Sequence, residues 1–233
     1  MRPFIVAIDG PAGAGKSTAA RRLAARLGFA MVDTGAIYRA VALAATRGGI
    51  AFDDDARLAE LLPTLRIRFE PVAAGGQRVL LDGEDVSAEI RTAPISLGAS
   101  AVSARPVVRA ALLGLQQQLA KAEGNRGAVL EGRDIGTVVF PDADVKFFLT
   151  ATPEVRAQRR YDELVGKGQP GTLEQVLADQ QKRDRDDSQR AVAPLRPADD
   201  ALLVDTSDLS LEGVIEALSS AVEGRLAARG SAG

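Results

Sequence analysis

Phe4-Ile5-Val6-Ala7-Ile8-Asp9-Gly10-Pro11-Ala12-Gly13-Ala14-Gly15-Lys16-Ser17-Thr18 decides the fold. Phe4 to Ile8 is an unbroken apolar run ended by Asp9-Gly10, which predicts a buried strand. From Ser17 to Leu27, residues Ala19, Ala20, Leu23, Ala24 and Leu27 recur at helical spacing. Between strand and helix, Gly10 to Ser17 fits G-x-x-x-x-G-K-[ST] in full, in the context the P-loop motif requires. Its glycines let the backbone wrap a polyphosphate, and its N–H groups and the helix N-terminus favour the anion. Lys16 is expected to reach the β- and γ-phosphates of ATP, and Ser17 to coordinate Mg²⁺. The expected ATP-binding set is therefore Gly10, Pro11, Ala12, Gly13, Ala14, Gly15, Lys16, Ser17 and Thr18. An ordinary glycine-rich turn is the bland alternative, and the complete pattern between strand and helix weighs against it.

Outward from this stretch the chain alternates strands and helices. Strands are predicted at Phe29–Val32, Ala128–Glu131, Val145–Leu149 and Ala201–Val204. Helices are predicted over Ala36–Thr46, Asp54–Leu62, through Ser100, and over Pro106–Ala122, Pro153–Val165 and Thr172–Ser188. The last helix places Leu211, Val214, Ile215, Leu218, Val222 and Leu226 on one face, before a tail from Gly230 expected to fray. Arg66–Glu70, Arg78–Leu81 and Glu84-Asp85-Val86, joined through Ala73-Ala74-Gly75-Gly76 and Asp82-Gly83, interrupt the alternation as a small antiparallel meander. The expectation is an α/β fold: a five-stranded parallel sheet with helices on both faces, plus a β insertion. Ligands should lie beyond the carboxyl ends of its strands.

Composition narrows the chemistry. The 233 residues include no cysteine and no histidine, which excludes disulfides, thiol nucleophiles, thiolate zinc sites and histidine acid–base work. A net charge of −2 argues against coating a nucleic-acid backbone. No window holds the ~18 consecutive apolar residues of a membrane span, and the N-terminus runs straight into a strand without room for a signal peptide. A cytoplasmic monomer without nucleic-acid or membrane partners is expected, since no large apolar surface stripe is evident.

The acceptor is read from the residues just after strands two and three. A hydroxyl acceptor must lose a proton and benefits from a carboxylate base. A phosphate acceptor, with a second pKa of about 6, needs its charge neutralised and its oxygen aimed. Asp33-Thr34-Gly35-Ala36-Ile37-Tyr38-Arg39 offers a hydroxyl, a ring face and a cation; Glu131-Gly132-Arg133-Asp134 offers a second cation. Each alone reads equally as a helix cap with a surface arginine; two at the correct strand ends favour a nucleoside monophosphate. Two rivals stay open: a small-metabolite kinase of the shikimate or gluconate type with Asp33 as base, and a non-catalytic nucleotide-binding module.

Over nearly its whole length the sequence resembles bacterial-type cytidylate kinases, nucleoside monophosphate kinases. The resemblance rests on Ile8-Asp9-Gly10-Pro11 and Asp33 to Arg39, on Leu81 to Ser87 and Glu89-Ile90-Arg91-Thr92, and on Glu131 to Asp142 and Arg190 to Leu195. It implies phosphoryl transfer from MgATP to CMP and dCMP. It also implies one domain over 1–233, with a monophosphate-binding region at 34–110 that contains the insertion at 64–92, and a helical lid at 153–190. By the same resemblance, Asp134, Arg109 and Ser100 read the base, with Tyr38 packed nearby and Thr34 in the same pocket. Arg39, Arg133 and Arg190 hold the CMP phosphate and the transferring group, and with Lys16 form the expected catalytic set. Arg183 and Asp187 contact the ribose. A carboxylate suits the amino group of cytosine and an arginine its N3 and O2 acceptors. This chain departs from the family in carrying Asp186 and Ser188 where further lid arginines are common, so Arg156, Arg159 and Arg160 receive no assigned role.

Overall fold

The computed structural model describes residues 2–72, 77–122, 124–166, 168–169 and 171–230. In chain order the elements are β1 (Phe4–Asp9), α1 (Lys16–Leu27), β2 (Ala30–Asp33), α2 (Thr34–Arg47), α3 (Asp55–Leu61), β3 (Ile67–Pro71), β4 (Gln77–Leu81) and β5 (Glu84–Asp85). They continue with α4 (Ala93–Ser103), α5 (Pro106–Ala120), β6 (Gly127–Glu131), β7 (Val145–Thr150), α6 (Pro153–Gly166), α7 (Leu173–Gln189), β8 (Leu202–Asp205) and α8 (Leu211–Gly230).

Five strands form one sheet in the order β2-β6-β1-β7-β8, with every pair parallel. β1 is central and buried on both faces, which is why its sequence is continuously apolar rather than alternating. Phe4, Val6 and Ile8 pack with α1 and with Val214, Ile215, Leu218 and Val222 of α8. Ile5 and Ala7 face the other way, against the α5 side and Ile135, Val139 and Phe140. A second core joins α2, α3, α4 and α5 to the insertion through Val79, Leu81 and Ile67. Its alanine-rich α2 packs closely on α4, where a Cβ at Gly98 would lie 3.2 Å from Ala42 Cβ of α2 and 2.6 Å from Phe52 in the connection that follows it.

The helix ends follow local chemistry. α1 opens from a left-handed Gly15 and closes on a left-handed Gly28. The Asp33 carboxylate accepts the Ala36 N–H at the start of α2 (2.9 Å), and Thr172 with Gln175 forms a capping box on α7.

β3, β4 and β5 form the expected antiparallel meander. Asp82 and Gly83 both have positive φ, 53° and 92°, the mirror-type turn that Asp-Gly favours. The Ala73–Gly76 connection lies outside the described residues, as do Lys167 and Pro170 between α6 and α7 and residues 231–233 of the tail. Most element bounds move by only a residue or two. Leu211 corrects the α8 face: it is 38 % exposed at the first helical position, while Ser219 is buried in its stead. A single wide helical turn, Ile135–Val139, was not foreseen, because Gly136 and the β-branched run after it carry no helical period.

Candidate active site

The site gathers at the carboxyl ends of β1, β2 and β6. Gly10, Gly13 and Gly15 have φ of 145°, 77° and 84°, and a Cβ at Gly10 would overlap the Leu149 carbonyl oxygen, so the loop needs these glycines. Lys16 is only 5 % exposed, and its Nζ donates to the Pro11 carbonyl at 2.7 Å. Burial, then the Arg133 charge, pull Lys16 well below the usual lysine pKa. Ser17 and Thr18 are exposed in the first turn of α1, and Ser17 Oγ donates to Glu131 Oε1 at 2.5 Å. Glu131 is buried; that burial, followed by the charge of Asp33, raises its pKa.

Beside the loop lies a set of paired charges. Arg109 binds the Asp134 carboxylate, donates to the Ser103 carbonyl and sits 5.7 Å over the Tyr38 ring. Arg190 approaches the other Asp134 oxygen at 3.6 Å and donates through Nε to the Ala193 carbonyl. Asp134 is buried, which lifts its pKa against the pull of Arg109 and Arg190. Arg133 donates to Asp187 at 2.9 Å, and Ser100 Oγ reaches the other Asp187 oxygen at 3.5 Å. Burial works to raise Asp187, but Arg133 and Arg183 override it and hold its pKa low. Arg39 pairs with Asp33 at 2.8 Å. Thr34 Oγ1 is buried and donates to the Glu131 carbonyl at 2.7 Å.

Among the described residues, Arg39 Nε and Arg183 Nε are buried without an acceptor, and Arg190 Nη2 is buried with only its 3.6 Å approach to Asp134. Arg183 faces Arg133 and Arg39, and burial followed by the Arg133 charge pushes its pKa down to about 10. Buried donors without partners among repelling cations form an environment that an anion relieves.

The model for the cytidylate kinase family matches residues 6–224. The chain belongs to the cytidylate kinase family. A cytidylate kinase of Geobacter sp. strain M21 is 55 % identical over 96 % of this chain and 94 % of that protein. One from Geobacter sulfurreducens is likewise 55 % identical over 96 % of this chain and 94 % of its own length. Among solved structures, an uncharacterised protein from Eubacterium ventriosum superposes with a TM-score of 0.51 at 11 % identity, covering 94 % of this chain and 98 % of that one. That likeness concerns the fold alone.

The structure brings into mutual contact the expected residues Tyr38, Arg109, Asp134 and Arg190, and separately Ser100, Arg133 and Asp187. The Thr34 hydroxyl donates to the Glu131 carbonyl, which leaves its oxygen as an acceptor. Sequence reasoning assigned no role to three further groups. Arg156 donates to the Ala12 carbonyl inside the P-loop (2.9 Å) and to Asp184 on α7 (2.6 Å). Arg159 donates to the Thr206 hydroxyl and carbonyl just after β8. Asp9 accepts the N–H groups of Ile135 and Gly136, both at 2.8 Å. The sequence marked Asp9 only as the end of the first strand, and Arg156 and Arg159 only as charges within the expected lid.

The donor set near the loop suits magnesium. The Ser17 hydroxyl and the Glu131 carboxylate are hard oxygen ligands on adjacent elements, with Asp33 close enough to repel Glu131. One or two such groups suit an octahedral ion whose other positions are taken by phosphate and water.

Proposed function

We propose that this chain transfers the γ-phosphoryl group of MgATP to CMP and dCMP, giving CDP or dCDP and ADP. Family membership supports the reaction class. The observation that carries the reading is the gathering of Arg39, Arg109, Arg133, Arg183 and Arg190 with Asp134 and Asp187 beside the P-loop. With Asp33 on Arg39 and Asp184 acting on Arg183, four carboxylates offset the five cations, and the buried Arg39 Nε and Arg183 Nε keep free donors suited to a phosphate acceptor.

In this reading residues 10–18 cradle the ATP phosphates, with Lys16 leaving the Pro11 carbonyl for the β- and γ-oxygens. Ser17 would hold Mg²⁺, with Glu131 or Asp33 acting through water, and the ion would supply charge neutralisation for the ATP phosphates. Arg39, Arg133 and Arg190 neutralise and aim the acceptor phosphate, which is already largely ionised and needs no base. Asp33 is engaged on both oxygens, by Ala36 N–H and by Arg39, which counts against it as the base of a small-metabolite kinase. Asp134 and Arg109 exchange their bond to each other for the cytosine edge, with Ser100 beside them and Thr34 and Tyr38 lining the pocket. Uracil would set an oxygen against Asp134, an unpaired acceptor that disfavours UMP. Arg183 and Asp187 take the ribose. The region 34–110, with its insertion at 64–92, surrounds the monophosphate, and 153–190 closes as a lid that excludes water. The chain works as a cytoplasmic monomer on small molecules, without nucleic acid or membrane; no described helix is long and apolar enough to cross a membrane.

Coupled ADP production with MgATP across CMP, dCMP, UMP, AMP, GMP and shikimate tests the reading. Turnover should be confined largely to CMP and dCMP; faster turnover with UMP or AMP would overturn the specificity, and none with any acceptor would leave a binding module. Arg109→Ala and Asp134→Ala should each lower kcat/KM for CMP roughly 100-fold, about 2.7 kcal/mol. Their affinity for an ATP analogue should stay within about threefold by calorimetry, and a matching loss of ATP affinity would refute the base-reading role.

A further inference from the structure

We propose that Asp9 is a positioning residue that fixes Arg133 and Asp134 beside the P-loop and so sets the geometry of the acceptor side. The inference rests on the reading of Asp134 and Arg109 as the cytosine-reading pair.

The geometry is a two-point anchor. Asp9 ends β1 and immediately precedes Gly10, the first residue of the P-loop. The carbonyl of Ile8 accepts the Gly132 N–H at 3.0 Å. Asp9 Oδ1 accepts the Ile135 N–H and Oδ2 the Gly136 N–H, both at 2.8 Å. Only Arg133 and Asp134 lie between these anchors, and both project into the charged cluster. Consecutive residues of β1 thus pin the two-residue span at each end.

The anchor is built for close approach. A Cβ at Gly136 would lie 3.0 Å from Lys146 Cδ and 3.4 Å from Asp9 Oδ2. A Cβ at Gly132 would lie 2.8 Å from Thr34 Oγ1 and from Ile135. The Asp9 carboxylate is also costly. It is 4 % exposed, and burial raises its pKa to about 6, so the ionised form that accepts both N–H groups is held at neutral pH against desolvation. An asparagine of nearly the same shape would avoid that cost but could accept only one of the two bonds, turning its amide donor toward the other N–H. A charge kept where a neutral isostere fits is expected where placement matters more than stability.

The test is Asp9→Asn, with Gly136→Ala as the variant that displaces the same turn from the opposite side. In Asp9→Asn the Ile135 and Gly136 amides should exchange with solvent at least tenfold faster than in the wild type. In both variants the kcat/KM preference for CMP over UMP should fall at least fivefold, with affinity for a non-hydrolysable MgATP analogue kept within threefold. If either variant fails to fold, the other carries the test. Unchanged selectivity in a folded variant, or a loss of ATP affinity in step with the loss of CMP use, would overturn the inference, since a purely structural role moves stability alone. Asp134→Ala run alongside separates the two readings. Selectivity lost there but kept in Asp9→Asn refutes the role of Asp9 only, and selectivity kept in Asp134→Ala refutes the base-reading pair. Unchanged amide exchange in Asp9→Asn refutes the anchor whatever Asp134 does.

Discussion

Asp9 illustrates how one residue joins stability to pH. Its pKa rises from the ordinary aspartate value to about 6 in the folded chain, because burial outweighs two backbone hydrogen bonds. Facing it are Lys16 from α1 and Asp134 from the turn after β6, with Lys146 of β7 beyond Gly136. A carboxyl with a raised folded pKa stabilises below its unfolded pKa, and that contribution is lost as pH rises through the folded value. Wild type should therefore lose roughly 2 kcal/mol relative to Asp9→Asn between pH 4 and pH 7, most of the worth of about two pK units. Denaturant melts of both proteins across that range check it; a constant difference would mean that Asp9 titrates normally. Other buried carboxyls, such as Asp134 and Glu131, are raised as well, which is why the difference between the two proteins, not either curve alone, is the measurement.

Single residues were legible in the sequence where their type is dictated by covalent geometry or by a motif. The P-loop glycines, Lys16 and Ser17 follow from the local pattern, since only glycine tolerates the loop's positive φ values and its contact with the Leu149 carbonyl. Arg109 and Asp187 carry no local signal. Each sits on a helix where a solvated charge would look the same, and only the family resemblance singled them out. The pairing of Asp9 with Ile135 and Gly136 spans 126 and 127 residues in sequence, a separation no local pattern encodes.

At the scale of elements, α7 matters most, because it carries Arg183 and Asp187. Its first turn is closed by the reciprocal Thr172–Gln175 bonds, and its hydrophobic content is small, with Val176 its one buried aliphatic residue. Thr172→Ala should cost about 1 kcal/mol and fray that first turn, visible as faster amide exchange near Gln175 and Val176. Arg183 and Asp187 lie two turns or more further on, so CMP affinity should change less than threefold; a larger loss would mean that the cap positions the whole helix. The caps and periods of α1, α2 and α7 were readable because they depend on neighbours three or four residues away. The Ile135–Val139 turn was not readable, since it depends on Asp9.

Across the molecule, the contacts of Arg156 join the P-loop carbonyl of Ala12, α6 and Asp184 of α7, and Gln180 of α7 donates to the Arg156 carbonyl. These two helices touch the ATP loop while Asp187 of α7 holds Arg133 on the acceptor side. Simultaneous occupation of both sites should therefore slow amide exchange across α6 and α7 at least tenfold, by a bisubstrate analogue joining adenosine and cytidine through phosphates. The central strands β1, β6 and β7, already buried, should change little. Equal protection by the ATP analogue alone would show that closure needs no acceptor.

Sequence alone determined the parallel sheet and the phosphate-wrapping loop after β1, and it favoured an anionic acceptor without closing off a hydroxyl one. Each of these is set by local periodicity, by glycine stereochemistry, or by which residue types come after a strand. Tertiary structure alone decided which charges meet: Arg109 with Asp134, Arg133 with Asp187, Ser17 with Glu131, and Asp9 with the turn after Asp134. The physical reason is range. Helix and strand propensities act over a few residues, whereas buried charges are paired by the order of strands in the sheet. The order β2-β6-β1-β7-β8 is what sets Glu131 of β6 against β1 and its loop.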